Sequence, residues 1–160
     1  MIELTEAEQD TKYAQLAASA IWQGPNVPAC VLISAYVEDY GTLTNELYHE
    51  ILKDDLRNWG WSFKEVAGSW KGEQEQSFLV ILSSDIHEQT LQIERLLQLA
   101  HVFDQDAILV LDRYRNATLA FPTGEADQLI GKFRPVPEAY AKAQEGWTYD
   151  PQFEQYYAIL

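Results

Sequence analysis

Two short apolar runs constrain this chain more than any other feature. Ala29 to Val37 reads Ala-Cys-Val-Leu-Ile-Ser-Ala-Tyr-Val, and Ser77 to Leu82 reads Ser-Phe-Leu-Val-Ile-Leu. Each is short, rich in apolar residues and bounded by turn or polar residues. Each therefore predicts a strand covered on both faces. Two such strands demand a layer above and a layer below. The second run is preceded by a glycine-bracketed tryptophan segment, Gly68-Ser-Trp-Lys-Gly72, and by an acidic, amide-rich lip, Glu73-Gln-Glu-Gln76.

Two amphipathic segments can supply the covering layer. Thr42 or Thr44 is placed to cap a helix whose apolar face holds Leu47, Ile51, Leu52, Leu56 and Trp59, with Gly60 past its end. A second helix from Ser84 or Asp85 to about Phe103 carries the stripe Ile86, Ile93, Leu96, Leu97, Ala100 and Phe103. Trp61 to Val66 alternates Trp, Phe and Val with Ser, Lys and Glu, the pattern of a half-exposed strand, and Gly68 to Gly72 reads as a loop. Ala107 to Leu111 and Ala117 to Phe121 read as a hairpin around Asp112 to Asn116. The order is β-α-β-β-α-β followed by one more strand. This predicts an α+β, ferredoxin-like βαββαβ sandwich with its first and third strands in the middle and an extra hairpin strand.

The flanks are less regular. Thr5 and Glu8 form a capping-box pattern for an N-terminal helix carrying Tyr13, Leu16, Ala17, Ala20 and Ile21, which stops by Gly24-Pro25. Beyond Phe121, Leu129 to Val136 reads as extended, and Pro137 to about Ala143 as a short helix. Gly146 to Leu160 reads as an aromatic tail packed across the domain, with a last short strand near Tyr156 to Ile159. The 160 residues fit one domain, divided as 1–27, 28–121 and 122–160.

Charge narrows the function classes. With 25 acidic and 11 basic residues the formal charge is -14, which opposes direct binding to nucleic acid or anionic membranes. Cys30 is the only cysteine, so no intrachain disulfide can form, and its apolar neighbours predict a buried, inert thiol in a reducing cytoplasm. The N-terminus lacks the basic and apolar regions of a signal peptide, and no apolar run approaches the ~18 residues of a membrane span.

Several motifs occur in one combination: Asn45 ahead of Asp55-Leu56 and Gly60, then Gly68-Ser-Trp70, then Glu75-Gln-Ser-Phe-Leu-Val80. Leu99-Ala-His-Val-Phe-Asp-Gln-Asp-Ala-Ile-Leu109 follows. In this combination the chain resembles a small family of uncharacterised prokaryotic and phage proteins over roughly Leu32 to Phe121. The resemblance implies a phage-type source and no activity.

Candidate chemistry follows from the polar residues. His49, His87 and His101 match no dense ligand spacing, and no second cysteine exists, so neither a metal nor a cofactor is expected. Gly68 and Gly72 lack the Gly-Lys-Ser/Thr ending of a phosphate loop. Glu46, Glu50 and Asp54 follow at helical spacing as a carboxylate stripe. Like charges so placed cost only roughly 0.2–0.5 kcal/mol per pair, so a solvated face needs no functional reason. The stripe, with Glu38, Asp39 and the lip residues Trp70, Glu73 and Glu75, nevertheless makes one candidate docking surface for the basic groove of a macromolecular partner. On that basis the expectation is a non-enzymatic acidic binding protein, in its most concrete form a DNA-mimicking, phage-type inhibitor of a nucleic-acid-handling host defence protein. The alternative is a nucleotide-type small-ligand binder or sponge using Trp70, Ser77 and Gln105. An enzyme with an unrecognised site ranks third. Homo-oligomerisation is compatible with all three.

Overall fold

The computed structural model describes residues 28–70 and 72–160; the predicted N-terminal helix lies outside the described residues. The elements are β1 (Cys30–Ser34), α1 (Thr42–Asn58), β2 (Phe63–Trp70), β3 (Glu73–Ile81), α2 (Ile86–Val102), β4 (Ile108–Leu111) and β5 (Asn116–Ala120). They continue with β6 (Gln128–Val136), α3 (Glu138–Lys142), β7 (Gly146–Asp150) and β8 (Gln155–Ile159). All pairings are antiparallel, and the strands close into a barrel in the order β1-β3-β2-β7-β8-β6-β5-β4.

The ferredoxin-like sandwich is therefore the wrong architecture. A sandwich would leave β2 and β5 as edges with unpaired backbone groups. Instead β7 pairs with β2, from Ala67↔Tyr149 to Trp70↔Gly146, and β6 pairs with β5. β8 joins β6 to β7 and closes the ring, which removes every edge. The misreading lies after Phe121. β6 contains Gly131 and Pro135, which weaken a strand pattern, and β7 is five residues long inside an aromatic stretch read as a tail.

The continuous apolar character of β1 and β3 comes from two different cores. Val31, Ile33, Phe78 and Val80 face outward and pack beneath Leu52 and Leu56 of α1 and Leu96 and Ala100 of α2. Cys30 and Leu79 face the lumen, with Val66, Leu111, Phe133 and Tyr157. A strand between helices and a filled lumen has no solvent face, so its pattern cannot alternate.

The buried face of α1 also differs from expectation. It is Asn45, His49, Leu52 and Leu56. Leu47, Ile51 and Trp59 are exposed, Leu47 by 59%. Polar residues hold the buried face because they have partners there. Asn45 accepts from the Val37 amide at 3.0 Å and donates to the Val37 carbonyl at 3.1 Å, tying the β1–α1 loop to the helix. Neither Thr42 nor Thr44 caps α1; Gly41 is the N-cap and makes no side-chain bond. In α2, Asp85 caps as expected, accepting from the His87 and Glu88 amides at 3.0 Å.

One glycine is tightly packed where β6 meets the residues that follow β8. Gly131 has φ 139°, and a Cβ there would lie 2.5 Å from the Leu160 carbonyl oxygen, whose residue exchanges two 2.8 Å backbone bonds with Lys132. Gly131→Ala is expected to destabilise the fold by about 1–3 kcal/mol, read as a lowered melting temperature. An unchanged melt would show that the β6–C-terminus contact does not hold the barrel closed.

Candidate functional site

In a closed antiparallel barrel alternate strands point the same way. β1, β2, β5 and β8 end, and β3, β4, β6 and β7 begin, at one mouth. The β1–α1 loop, the β2–β3 turn, the α2–β4 loop and the β5–β6 loop all surround it. Its floor is packed. The lumen leaves a void of only about 10 Å³, lined by Leu32, Lys64, Val66, Leu79, Phe133, Thr148, Asp150 and Tyr157. That is room for about one water molecule and not for a ligand of nucleoside size.

The mouth is built by the β2–β3 hairpin, which continues past the end of β1. The residues read as a Gly68–Gly72 loop are strand as far as Trp70, and β3 begins at Glu73, not Ser77. The register pairs Trp70 with Glu73, Gly68 with Glu75, and Val66 with Ser77. Cross-strand partners share a face, and Val66 faces the lumen. Trp70, Glu73, Glu75 and Ser77 therefore all lie on the inner face.

Glu75 has the most perturbed carboxyl there. It is largely buried and has no hydrogen-bonding or ionic partner among the described residues; burial pushes its pKa from 4.5 up to about 7. Gly68 lies opposite it on β2 and packs closely against it. A Cβ on Gly68 would come within 3.9 Å of the Glu75 Cγ. Ser77, opposite Ser34 of β1, is buried beneath it. Trp70 is 48% exposed, and its indole occupies the place that a Cβ on Gly146 would take, 2.6 Å from Cε3.

The other expected residues divide between this mouth and the outside of the barrel. Glu38 and Asp39 lie exposed on the β1–α1 loop at the rim, as do Asp104 and Asp106 on the α2–β4 loop. Tyr40 links the two loops by donating its hydroxyl to Asp104 at 2.6 Å. Gln105 donates to the Tyr36 carbonyl at 3.0 Å and the Phe103 carbonyl at 3.2 Å, so its amide fastens loops together. Glu46, Glu50 and Asp54 lie exposed on α1, outside the barrel wall. Trp70, Glu73 and Glu75 instead lie on the inner face of the β2–β3 hairpin.

Burial and side-chain pairing reveal groups the sequence reading missed. Lys64, read on a half-exposed strand, lies inside the lumen in an ion pair with Asp150 of β7. Both side chains are at most 3% exposed. Burial pulls the Lys64 pKa down, and the bond to Asp150 raises it part of the way back. Asp150 offered no signal in sequence, because nothing marked β7 as a strand. Gly146 and Thr148 went unnoticed for the same reason.

A second polar group forms on the outside. The His49 Nε2 lies 2.6 Å from Glu65, which also accepts from Lys53 at 3.4 Å. Glu50 comes close enough that His49, Glu50 and Glu65 group as a possible ligand set within 4.8 Å. The Lys53 ammonium already supplies a cation to Glu65. The His49 bond is the main cause, and Lys53 a further one, of a Glu65 pKa below its usual value.

The family model described as S-adenosylmethionine lyase family matches residues 31–160. No curated protein sequence matches the chain. The matched span covers all of the barrel but its first residue, Cys30. The match corrects three expectations. The chain matches a named family and not an uncharacterised phage group. That family is named for an enzymatic activity, so a non-enzymatic reading fails. The DNA-mimicking inhibitor fails with it. Among the described residues, no helix is long and apolar enough to cross a membrane.

Proposed function

Because the chain belongs to the S-adenosylmethionine lyase family, we propose that it cleaves S-adenosylmethionine at the barrel mouth, with Glu75 facing the positive charge of the substrate. The observation that carries this reading is the family match over residues 31–160. Glu75 supports the location. A largely buried carboxylate without a cation is costly, and a sulfonium or ammonium group seated at the mouth supplies that cation. The exposed rim acids Glu38, Asp39, Asp104 and Asp106 add attraction for a substrate of net positive charge. A cytoplasmic location, where such a substrate is made and used, is part of the same proposal.

The chemistry asks little of the protein. A sulfonium is already an activated leaving group. When one C–S bond breaks, its electron pair returns to sulfur and a neutral thioether leaves. A lyase then completes the carbon fragment from within the substrate, by loss of a proton or by attack of the substrate's own carboxylate. Neither route consumes water or an oxidant. The task left to the site is to hold the substrate in a reactive shape and keep water from the reacting carbon.

The test is turnover in water enriched in oxygen-18, followed by mass spectrometry at early times. The expected result is loss of S-adenosylmethionine, appearance of a thioether that keeps the adenosine, and a carbon fragment without label. Label in the first-formed fragment would mean hydrolysis and overturn the lyase reading. No loss of substrate would overturn the assignment itself.

A further inference from the structure

We propose that Trp70 is the platform on which the purine of the substrate stacks, and that Gly146 is the position that seats it. The inference rests on the reading of the mouth as the substrate site. It adds which part of the substrate goes where.

The indole lies on the inner face of β2 at the rim, half exposed, on the same face as Glu75. It does not stand out into solvent. Its six-membered ring lies where a side chain on Gly146 would be, 2.6 Å from Cε3 and 2.9 Å from Cζ3. Any side chain at position 146 would push the ring off β7. A glycine here therefore holds one ring edge against the backbone and leaves the rest of the indole at the mouth. An aromatic surface held in this way loses little entropy when a flat partner stacks on it.

The spacing fits the substrate. Trp70 pairs with Glu73, so Glu75 is its diagonal neighbour two residues along the facing strand. Diagonal neighbours on one face lie about 7–8 Å apart. In S-adenosylmethionine one ribose separates the purine from the sulfonium. A purine on Trp70 thus brings the cationic end to Glu75, across from Gly68. The smaller Ser34, Ser77 and Thr148 line the floor beneath.

Stacking of a base on an aromatic side chain contributes about 1–3 kcal/mol, or about 5- to 150-fold in affinity. Trp70→Ala is expected to raise KM by a factor in that range and to leave kcat within about twofold. Trp70→Phe should restore most of the loss, because a phenyl ring still offers a face. Gly146→Ala should act in the same direction as Trp70→Ala by displacing the indole. Calorimetric titration with adenosine, which carries the purine without the charge, reads the platform independently of turnover. Weaker adenosine binding in Trp70→Ala, rescued in Trp70→Phe, supports the platform even if the lyase chemistry proves wrong. Equal adenosine binding in wild type and Trp70→Ala would overturn it. So would a fall in kcat at constant KM, or a failure of Trp70→Phe to recover binding in a protein with a native circular dichroism spectrum.

Discussion

Asp150→Ala is expected to destabilise the protein by about 3–5 kcal/mol, enough to unfold much of it at moderate temperature. Asp150 and Lys64 meet inside the lumen from the neighbouring strands β7 and β2, with both side chains nearly sealed from solvent. Asp150 also accepts from the Gln152 amide at 3.0 Å, which shapes the β7–β8 turn. Over that turn the Lys64 ammonium lies 5.2 Å from the Phe153 ring centre. Removing the carboxylate leaves the ammonium buried with only Gln152, 3.5 Å away, and a ring face. The lost pair matters less than the uncompensated charge that remains. The two possibilities separate experimentally. Replacing both residues by apolar ones of similar size, as in Lys64→Met with Asp150→Leu, should recover most of the loss, and urea unfolding of the three variants reads it. If the double variant is as unstable as Asp150→Ala, the pair itself supports the barrel. If Asp150→Ala melts like wild type, the lumen must be wetter than its packing implies.

The same pair shows where sequence reading stops. The buried strands were legible because both faces of β1 and β3 are apolar, and that property is local. The helices were legible as helices for the same reason, since a 3.6-residue period repeats within a few turns. Which face of α1 is inward was not legible. Asn45 and His49 are buried because the Val37 backbone and Glu65 meet them there, and those partners come from other elements. Barrel closure was hidden by the same kind of dependence. Gly146 to Asp150 is a strand because the free edge of β2 and β8 bind it from both sides, not because five residues insist on extended geometry. Of the site, Trp70, Glu73, Glu75 and Ser77 stood out in sequence as polar and aromatic residues crowded ahead of a buried strand. Gly146, supplied by the far end of the chain, could not be connected to them before β2 and β7 were known to pair.

Glu75→Gln is expected to lower kcat/KM for S-adenosylmethionine by about 10- to 100-fold, mainly through KM. A buried charge-assisted contact is worth about 1.5–3 kcal/mol. The cation it faces is present in the bound ground state, so its loss appears first in binding. The pH dependence separates this role from a structural one. In the free folded protein Glu75 titrates at about 7, against 4.5 for an ordinary glutamate. The folded state therefore holds the proton more tightly than the unfolded chain. Its stabilising contribution is full below about 4.5 and is lost as pH rises through about 7, by about 3 kcal/mol in all. Substrate binding needs the opposite, ionised form. Wild-type kcat/KM should accordingly rise with pH through about 7 while the melting temperature of the free protein falls over the same interval. Glu75→Gln should flatten both limbs and melt above wild type at pH 8, since it removes a carboxylate ionised against its burial cost. A neutral thioether that keeps the adenosine should stabilise wild type and variant equally, whereas S-adenosylmethionine should stabilise wild type more. A variant that melts below wild type at pH 8, or keeps the wild-type pH profile, would mean that Glu75 supports the hairpin and leaves the cation to another group.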